Sequence, residues 1–201
     1  MNGRKQFWRV LLFCLAAALF LTGCLSMRRP LTLNGNPIQT AETESLKASL
    51  RFLDDGELRK TFKQEVNPFL TDYNSLHMRR IMTFELTIDN LGPGKVEFAL
   101  NRLELQYAGK ALKPYNRFQL LQEWEFRDEH KRALAVDKTR REKIVNSWVL
   151  PNTVSIAPGG NLKGYIVFLG TTAEYGVAMV YVPLLKSKDE VLHRFEFQFE
   201  F

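Results

Sequence analysis

Hydrophobic and polar residues alternate along most of the chain beyond residue 45, and a period of two is the pattern of strands with one buried face. The alternation is clearest in 191–201, where four phenylalanines alternate with polar residues. It predicts strands in six earlier segments as well: 46–52, 82–88, 100–107, 154–156, 162–169 and 177–182. Because 177–182 is apolar throughout, we expect that strand to lie centrally in a sheet. Turn residues separate these segments, so the sequence predicts a mainly β, antiparallel, immunoglobulin-like β-sandwich.

Two segments depart from this alternation. Residues 118–143 are strongly charged, contain no Gly or Pro, and place acids four positions before bases, which predicts a charged helical insertion of one helix or a helix pair. Its apolar stripe is thin, so we expect it on the surface, with Trp124 and Trp148 pinning it to the sandwich. Residues 61–77 are less regular and predict a long loop with some helix, while Asp54-Asp55-Gly56 predicts a turn.

The first 24 residues form a leader of another kind. Arg4, Lys5 and Arg9 precede an uncharged apolar run, 10–21, and small residues follow it. About a dozen apolar residues fall short of the ~20 that a spanning helix needs, so residues 1–23 are predicted to be a secretory signal peptide. A buried core helix or a short membrane anchor is the alternative interpretation.

The end of this leader, Leu21-Thr22-Gly23-Cys24, resembles the bacterial lipobox. In that family the Cys thiol receives a diacylglyceryl group, the leader is cut before the Cys, and the new amine is often acylated. The resemblance implies a lipoprotein that is lipidated at Cys24 with acyl chains of the palmitate type. Leu25 follows where an Asp would resemble the inner-membrane retention signal. This implies the outer membrane, on its periplasmic face or at the cell surface, if the organism is Gram-negative.

Residues 24–45 are rich in Asn, Thr, Pro and Gly and show no sustained period, so we expect a lipidated tether. Twenty flexible residues span roughly 25 Å, enough to lift a domain clear of the headgroups. Part of this segment could instead pack on the domain as an irregular stretch. The β-sandwich domain is then predicted to occupy 46–201.

Cysteine content and charge restrict the chemistry further. Cys14 would be lost with the leader and Cys24 lipidated, so the mature domain would contain no disulfide and no thiol chemistry. The leader contributes three units of the formal net charge of +6, and the remaining +3 of the mature part is too mild to indicate nucleic-acid binding.

Residues that could carry chemistry are sparse. The three histidines lie in separate regions, away from any second His or Cys, which argues against zinc: His77, His130 and His193. Two carboxylate pairs suggest acid–base work, Asp54/Asp55 in a turn and Glu196/Glu200 on the polar face of a strand, but neither shows a reason for a shifted pKa. With no nucleophile or phosphate-loop motif either, we expect no enzyme, no metal and no cofactor.

The residues around Pro158 suggest a family of folds. Leu150-Pro151, then 154–160, then 164–168 resemble the penultimate hairpin of immunoglobulin-like domains in exported bacterial proteins of the DUF4352 type. Residues 83–90, which precede Gly92, are similar to the strand that opens such domains. The resemblance covers about a third of the chain and implies an immunoglobulin-like fold, from which the charged insertion is a departure.

These observations predict a lipid-anchored cell-envelope protein with a non-catalytic interaction or structural role. The lipid anchor would attach the protein to the membrane. An envelope protein would bind either to a sheet edge or to the charged insertion. That insertion carries a basic cluster that could meet anionic lipid headgroups or acidic glycan, although its interleaved acids favour a solvated face: Lys131, Arg132, Lys138, Arg140, Arg141 and Lys143. Two interpretations of the last strand remain. Its aromatic face is buried in the core, or it forms an exposed aromatic edge to which another chain adds a strand.

The alternative function is a carrier or sensor of a small apolar ligand between the sheets, suggested by fifteen Phe, six Tyr and three Trp.

Overall fold

The computed structural model describes residues 29–62, 67–73, 79–131, 138–187 and 190–201. Within them, two antiparallel sheets face one another. Sheet A has four strands in the order β1 (Ile38–Glu42), β2 (Leu46–Leu53), β3 (Arg80–Asn90) and β8 (Asn161–Thr171). Sheet B contains the six others: β4 (Val96–Ala99), β5 (Glu104–Tyr107), β6 (Lys110–Leu112), β7 (Thr153–Ile156), β9 (Val177–Ser187) and β10 (Glu190–Glu200).

Sheet B is organised around β9. The strands β5 and β4 pair with successive halves of β9 on one side, and β10 pairs with its whole length on the other. Pro183, which has no N–H to donate, lies opposite the 3-10 turn Leu100–Arg102, where the ladder passes from β5 to β4. The predicted central position of 177–182 is therefore confirmed.

The core between the sheets is aromatic. Phe84 of β3 is fully buried, and its ring centroid lies 5.5 Å from that of Phe52, 6.1 Å from that of Phe168 and 5.2 Å from that of Phe199. The four phenylalanines of the last segment are all buried, so their face belongs to the core and is not an exposed aromatic edge: Phe195, Phe197, Phe199 and Phe201. Side chains from both sheets therefore contact one another in the middle of the sandwich. The mainly β, antiparallel sandwich is confirmed.

Three helices add a layer outside sheet A: α1 (Asp55–Thr61), α2 (Arg117–Lys131) and α3 (Lys138–Trp148). The helix pair predicted in 118–143 is confirmed, but it is less superficial than expected. Leu120 and Val145 are fully buried against the outward-facing side chains of β8. Trp124 Nε1 donates to the Pro68 carbonyl at 2.8 Å, and the Trp148 ring lies 5.1 Å from that of Tyr165. Both tryptophans therefore hold the insertion in place, as expected.

The folded part of the chain begins earlier than residue 46. Strand β1 pairs with β2 along its whole length, and Leu31 is buried in the core between the sheets. The tether prediction for 24–45 is therefore wrong over the part that the structure describes, 29–45. The sequence does not predict β1 because it is an edge strand with one exposed face and one half-buried face. Such a strand needs no alternation of hydrophobic and polar residues.

Two turn assignments also change. Asp54 is the N-cap of α1 and accepts a hydrogen bond from the Glu57 N–H at 2.8 Å, because Asp caps helices as readily as it forms turns. The Pro158 turn does not close a hairpin, since β7 pairs with β4 in sheet B and β8 pairs with β3 in sheet A. The chain crosses between the sheets there, as connections in sandwiches commonly do.

Candidate functional site

The end of the sandwich at which residue 29 enters the fold is organised by a buried cation. Arg80, at the start of β3, is only 1% exposed. Its Nη1 donates to the Arg29 carbonyl at 2.5 Å, and its Nη2 lies 3.5 Å from Glu174 Oε1 in the β8–β9 loop. One guanidinium thus holds the incoming chain and that loop side by side. We call this region the entry end.

Asp55 and Tyr73 form a polar pair next to Arg80. Burial raises the pKa of the Asp55 carboxyl, although a hydrogen bond with Tyr73 and the charge of Arg59 act in the opposite direction. Burial also raises the pKa of the Tyr73 hydroxyl to about 12, with the Asp55 charge adding to the effect. The expectation that neither carboxylate pair has a reason for a shifted pKa is therefore wrong for Asp55. Its partner Asp54 caps α1, where its carboxylate accepts a hydrogen bond from the Glu57 N–H.

A groove of about 620 Å³ opens at the entry end. It is lined by residues of the segment 30–37, by Phe52 and by residues around the start of α1. Its lining mixes prolines and leucines with the carboxylates of Asp54, Asp55 and Glu57, so it suits no single class of ligand.

A second feature is the outer edge of β10. The Gln39 side chain covers part of it: its Nε2 donates to the Gln198 carbonyl, and its Oε1 accepts from the Gln198 N–H at 3.0 Å. The Asn34 N–H similarly donates to the Glu200 carbonyl at 2.7 Å. Alternate residues of an antiparallel strand direct their main-chain groups to the same side. The main-chain N–H and C=O groups of Arg194 and Glu196 therefore point away from β9, as those of Gln198 do. Among the described strands, β10 pairs with β9 alone.

The uncovered part of β10, residues 191–196, is referred to as the open edge. Val191 and Leu192 are exposed there, next to a shallow groove of about 340 Å³ on the outer face of sheet B. The Arg194 guanidinium lies 5.0 Å from the Tyr181 ring centroid and also pairs with Glu196 at 2.7 Å. The open edge therefore combines main-chain groups that no described strand pairs with, apolar side chains and one charge of each sign.

The candidate residues of the sequence fall in separate segments of the chain, and several lie outside the part that the structure describes. Cys24 and His77 lie outside the described residues, as does the side chain of His130. His193 packs edge-on against the Phe195 ring, with centroids 4.5 Å apart, and Glu200 lies exposed at the end of β10. Across the described ranges, no group of three His, Cys, Asp or Glu side chains is close enough to hold a metal ion.

The basic cluster of the insertion is not a uniform solvated face. Lys138 pairs with Glu125, while Arg141 is buried and its guanidinium stacks 4.5 Å from the Trp124 ring centroid. Lys131 and Arg132 have side chains outside the described set. Arg141 therefore serves the packing of α3 on α2, and an anionic partner has fewer cations to meet here than the sequence suggested.

Sequence reasoning missed Arg80 and Gln39. Arg80 follows another arginine at the start of a strand, and nothing in the sequence distinguishes the buried residue from the exposed one. Gln39 lies in the strand whose pattern is too weak to detect. No helix in the described ranges has both the length and the apolar character needed to cross a membrane.

No family model and no curated protein matches this chain. Among solved structures, it is similar to a functionally unknown protein from Listeria monocytogenes EGD-e, with 11% identity, a TM-score of 0.44 and 86% of each chain covered. It is also similar to the yjhA protein from Bacillus subtilis, with 10% identity, a TM-score of 0.38, and 72% of this chain and 77% of that chain covered. Both TM-scores are too low for this similarity to support a conclusion about fold or function.

Proposed function

We propose that the protein is a lipid-anchored component of the bacterial cell envelope with a non-catalytic interaction role. Attachment through Cys24 is supported by the lipobox-like residues 21–24 at the end of a secretory leader. The interaction role is supported by the open edge of β10, where Arg194 and Glu196 direct main-chain groups away from the sheet. Leu25 stands where an Asp would resemble the inner-membrane retention signal, which favours the outer membrane if the organism is Gram-negative.

Substituting Cys24→Ala is expected to release the protein from membranes. One acyl chain gives only marginal binding, and stable attachment takes a second chain, so loss of the modified thiol removes the anchor altogether. The measurement is the division of the protein between membrane pellet and supernatant after a high-salt wash. Cys14→Ala is the matched control and should stay in the pellet, because this proposal removes Cys14 with the leader. A Cys24→Ala protein that has lost its leader and still stays in the pellet would contradict lipid attachment at this residue.

For the interaction role, an extended segment of another envelope protein fits the open edge by strand addition. Main-chain hydrogen bonds supply affinity in this mode, and the side chains on either side of the added strand supply specificity. The Gln39 amide limits the length of such a partner, because it already occupies both main-chain groups of Gln198. We therefore expect the added strand to run along 191–196 only.

Photo-crosslinking in intact cells tests strand addition. A photoreactive residue at Leu192 is expected to yield one discrete adduct with an envelope protein, whereas the same residue at Leu91, which is 54% exposed in the β3–β4 turn, is expected to yield none. Glu196→Pro removes an outward N–H and should abolish the adduct, while Glu196→Ala keeps that N–H and should preserve it. Equal adduct yields from the Pro and Ala variants would exclude main-chain pairing at the open edge.

A further inference from the structure

We propose that the entry end of the domain rests on the membrane surface, with the side chains of Tyr175 and Val177 in the headgroup layer. The inference depends on the proposed function, because it takes Cys24 as the point of lipid attachment. The occupant of this face is the lipid surface that holds the anchor.

The length of the link between lipid and domain sets the first constraint. Five residue steps separate Cys24 from Arg29, and at no more than ~3.6 Å per residue they reach about 18 Å. The headgroup layer itself occupies roughly 5–8 Å of that reach. Beyond Arg29 the chain is fixed, since its carbonyl is bound by Arg80 and Leu31 lies in the core. The entry end is therefore held within about 10 Å of the headgroups, by the same limit on chain reach.

The position of Tyr175 follows from the contacts of Arg80. The guanidinium that binds the Arg29 carbonyl also faces Glu174, the residue before Tyr175. The next residue, Gly176, exchanges two main-chain hydrogen bonds with Phe201, each of 2.9 Å. The loop is thus fixed beside the incoming chain by its main chain and by Glu174, without use of the Tyr175 ring.

The side chains displayed there suit a bilayer interface. Tyr175 is 81% exposed and Val177 is 48% exposed. Tyrosine is enriched at membrane interfaces, where its ring meets apolar matter and its hydroxyl meets water. Arg28 and Arg29 add positive charge next to the anchor, which favours an anionic lipid surface.

Site-directed spin labelling of the lipidated protein tests the orientation. Once Cys14 is removed and Cys24 acylated, an introduced cysteine is the single free thiol. We would label Tyr175→Cys in protein reconstituted into vesicles of phosphatidylethanolamine and phosphatidylglycerol. Leu91→Cys is the matched control, because Leu91 follows the far end of β3, an eleven-residue strand, and is also exposed. Collision rates with oxygen and with a water-soluble nickel chelate report how deep each label lies.

The expected result is a higher ratio of oxygen to nickel collisions at position 175 than at 91, and equal ratios when the Cys24→Ala background is labelled in solution. Acyl chains on the intact protein together with equal, water-like ratios at both positions would overturn the orientation and leave the proposed function standing. A deeper label at 91 would overturn it in the same way. An unacylated chain would overturn the proposed function and this inference with it.

Discussion

Phe84→Ala is expected to lower the free energy of unfolding by about 3–5 kcal/mol. Phe84 is fully buried at the middle of β3, and its ring meets Phe52 of β2, Phe168 of β8 and Phe199 of β10. Truncation removes the transfer free energy of the ring and leaves a cavity that rings from both sheets cannot close. A loss of this size is a large share of the roughly 5–15 kcal/mol that stabilises an ordinary domain.

Urea denaturation followed by circular dichroism measures this loss. Phe118→Ala is the matched control, because Phe118 is 67% exposed at the start of α2. The control should change stability by no more than about 0.5 kcal/mol. Equal effects of the two substitutions would show that the two sheets do not pack on Phe84 as described.

Asn90→Ala is expected to lower the free energy of unfolding by at least about 2 kcal/mol. The Asn90 side chain is buried, and its Nδ2 donates to the carbonyls of Gly94 at 2.7 Å, Ile156 at 3.1 Å and Ala157 at 3.1 Å. Its Oδ1 accepts from the Gly92 N–H at 3.2 Å. Alanine would leave these main-chain groups without their partner, at about 1–3 kcal/mol for each group that stays buried.

The same denaturation experiment on Asn161→Ala supplies the control. The Asn161 Nδ2 donates to Asp89 Oδ1 at 2.5 Å on the exposed face of sheet A, where water replaces a lost partner. We expect a change within about 0.5 kcal/mol there. If Asn90→Ala were as mild as Asn161→Ala, the β3–β4 turn and the Pro158 turn would not be joined through this side chain.

The strands could largely be predicted from the sequence because a strand with one buried face imposes period two locally. Strand β1 could not, since one of its faces is exposed and the other only half-buried, so its sequence shows no hydrophobic alternation although the strand pairs with β2. The sequence also does not predict which of the two sheets each strand joins. The Pro158 turn looks the same whether the next strand pairs with β7 or crosses to the other sheet, as β8 does.

The candidate sites divide in the same way. Lipidation at Cys24 is predicted from four consecutive residues, because a short local motif can specify such a modification, and it stays a prediction. The burial of Arg80 depends on Arg29 and Glu174, which are distant in sequence. The extent of the open edge depends on the hydrogen bond between Gln39 and Gln198, two residues that are distant in sequence. Neither leaves a pattern in a single segment of the chain.

Lipid attachment at Cys24 is the central claim, and the intact mass of the membrane-extracted protein tests it most directly. The predicted result is a chain that begins at residue 24 and carries the added mass of two or three acyl chains, with that added mass absent from the Cys24→Ala protein. An unmodified chain that begins near Met1 would contradict the claim, since the apolar run 10–21 would then itself be the membrane anchor.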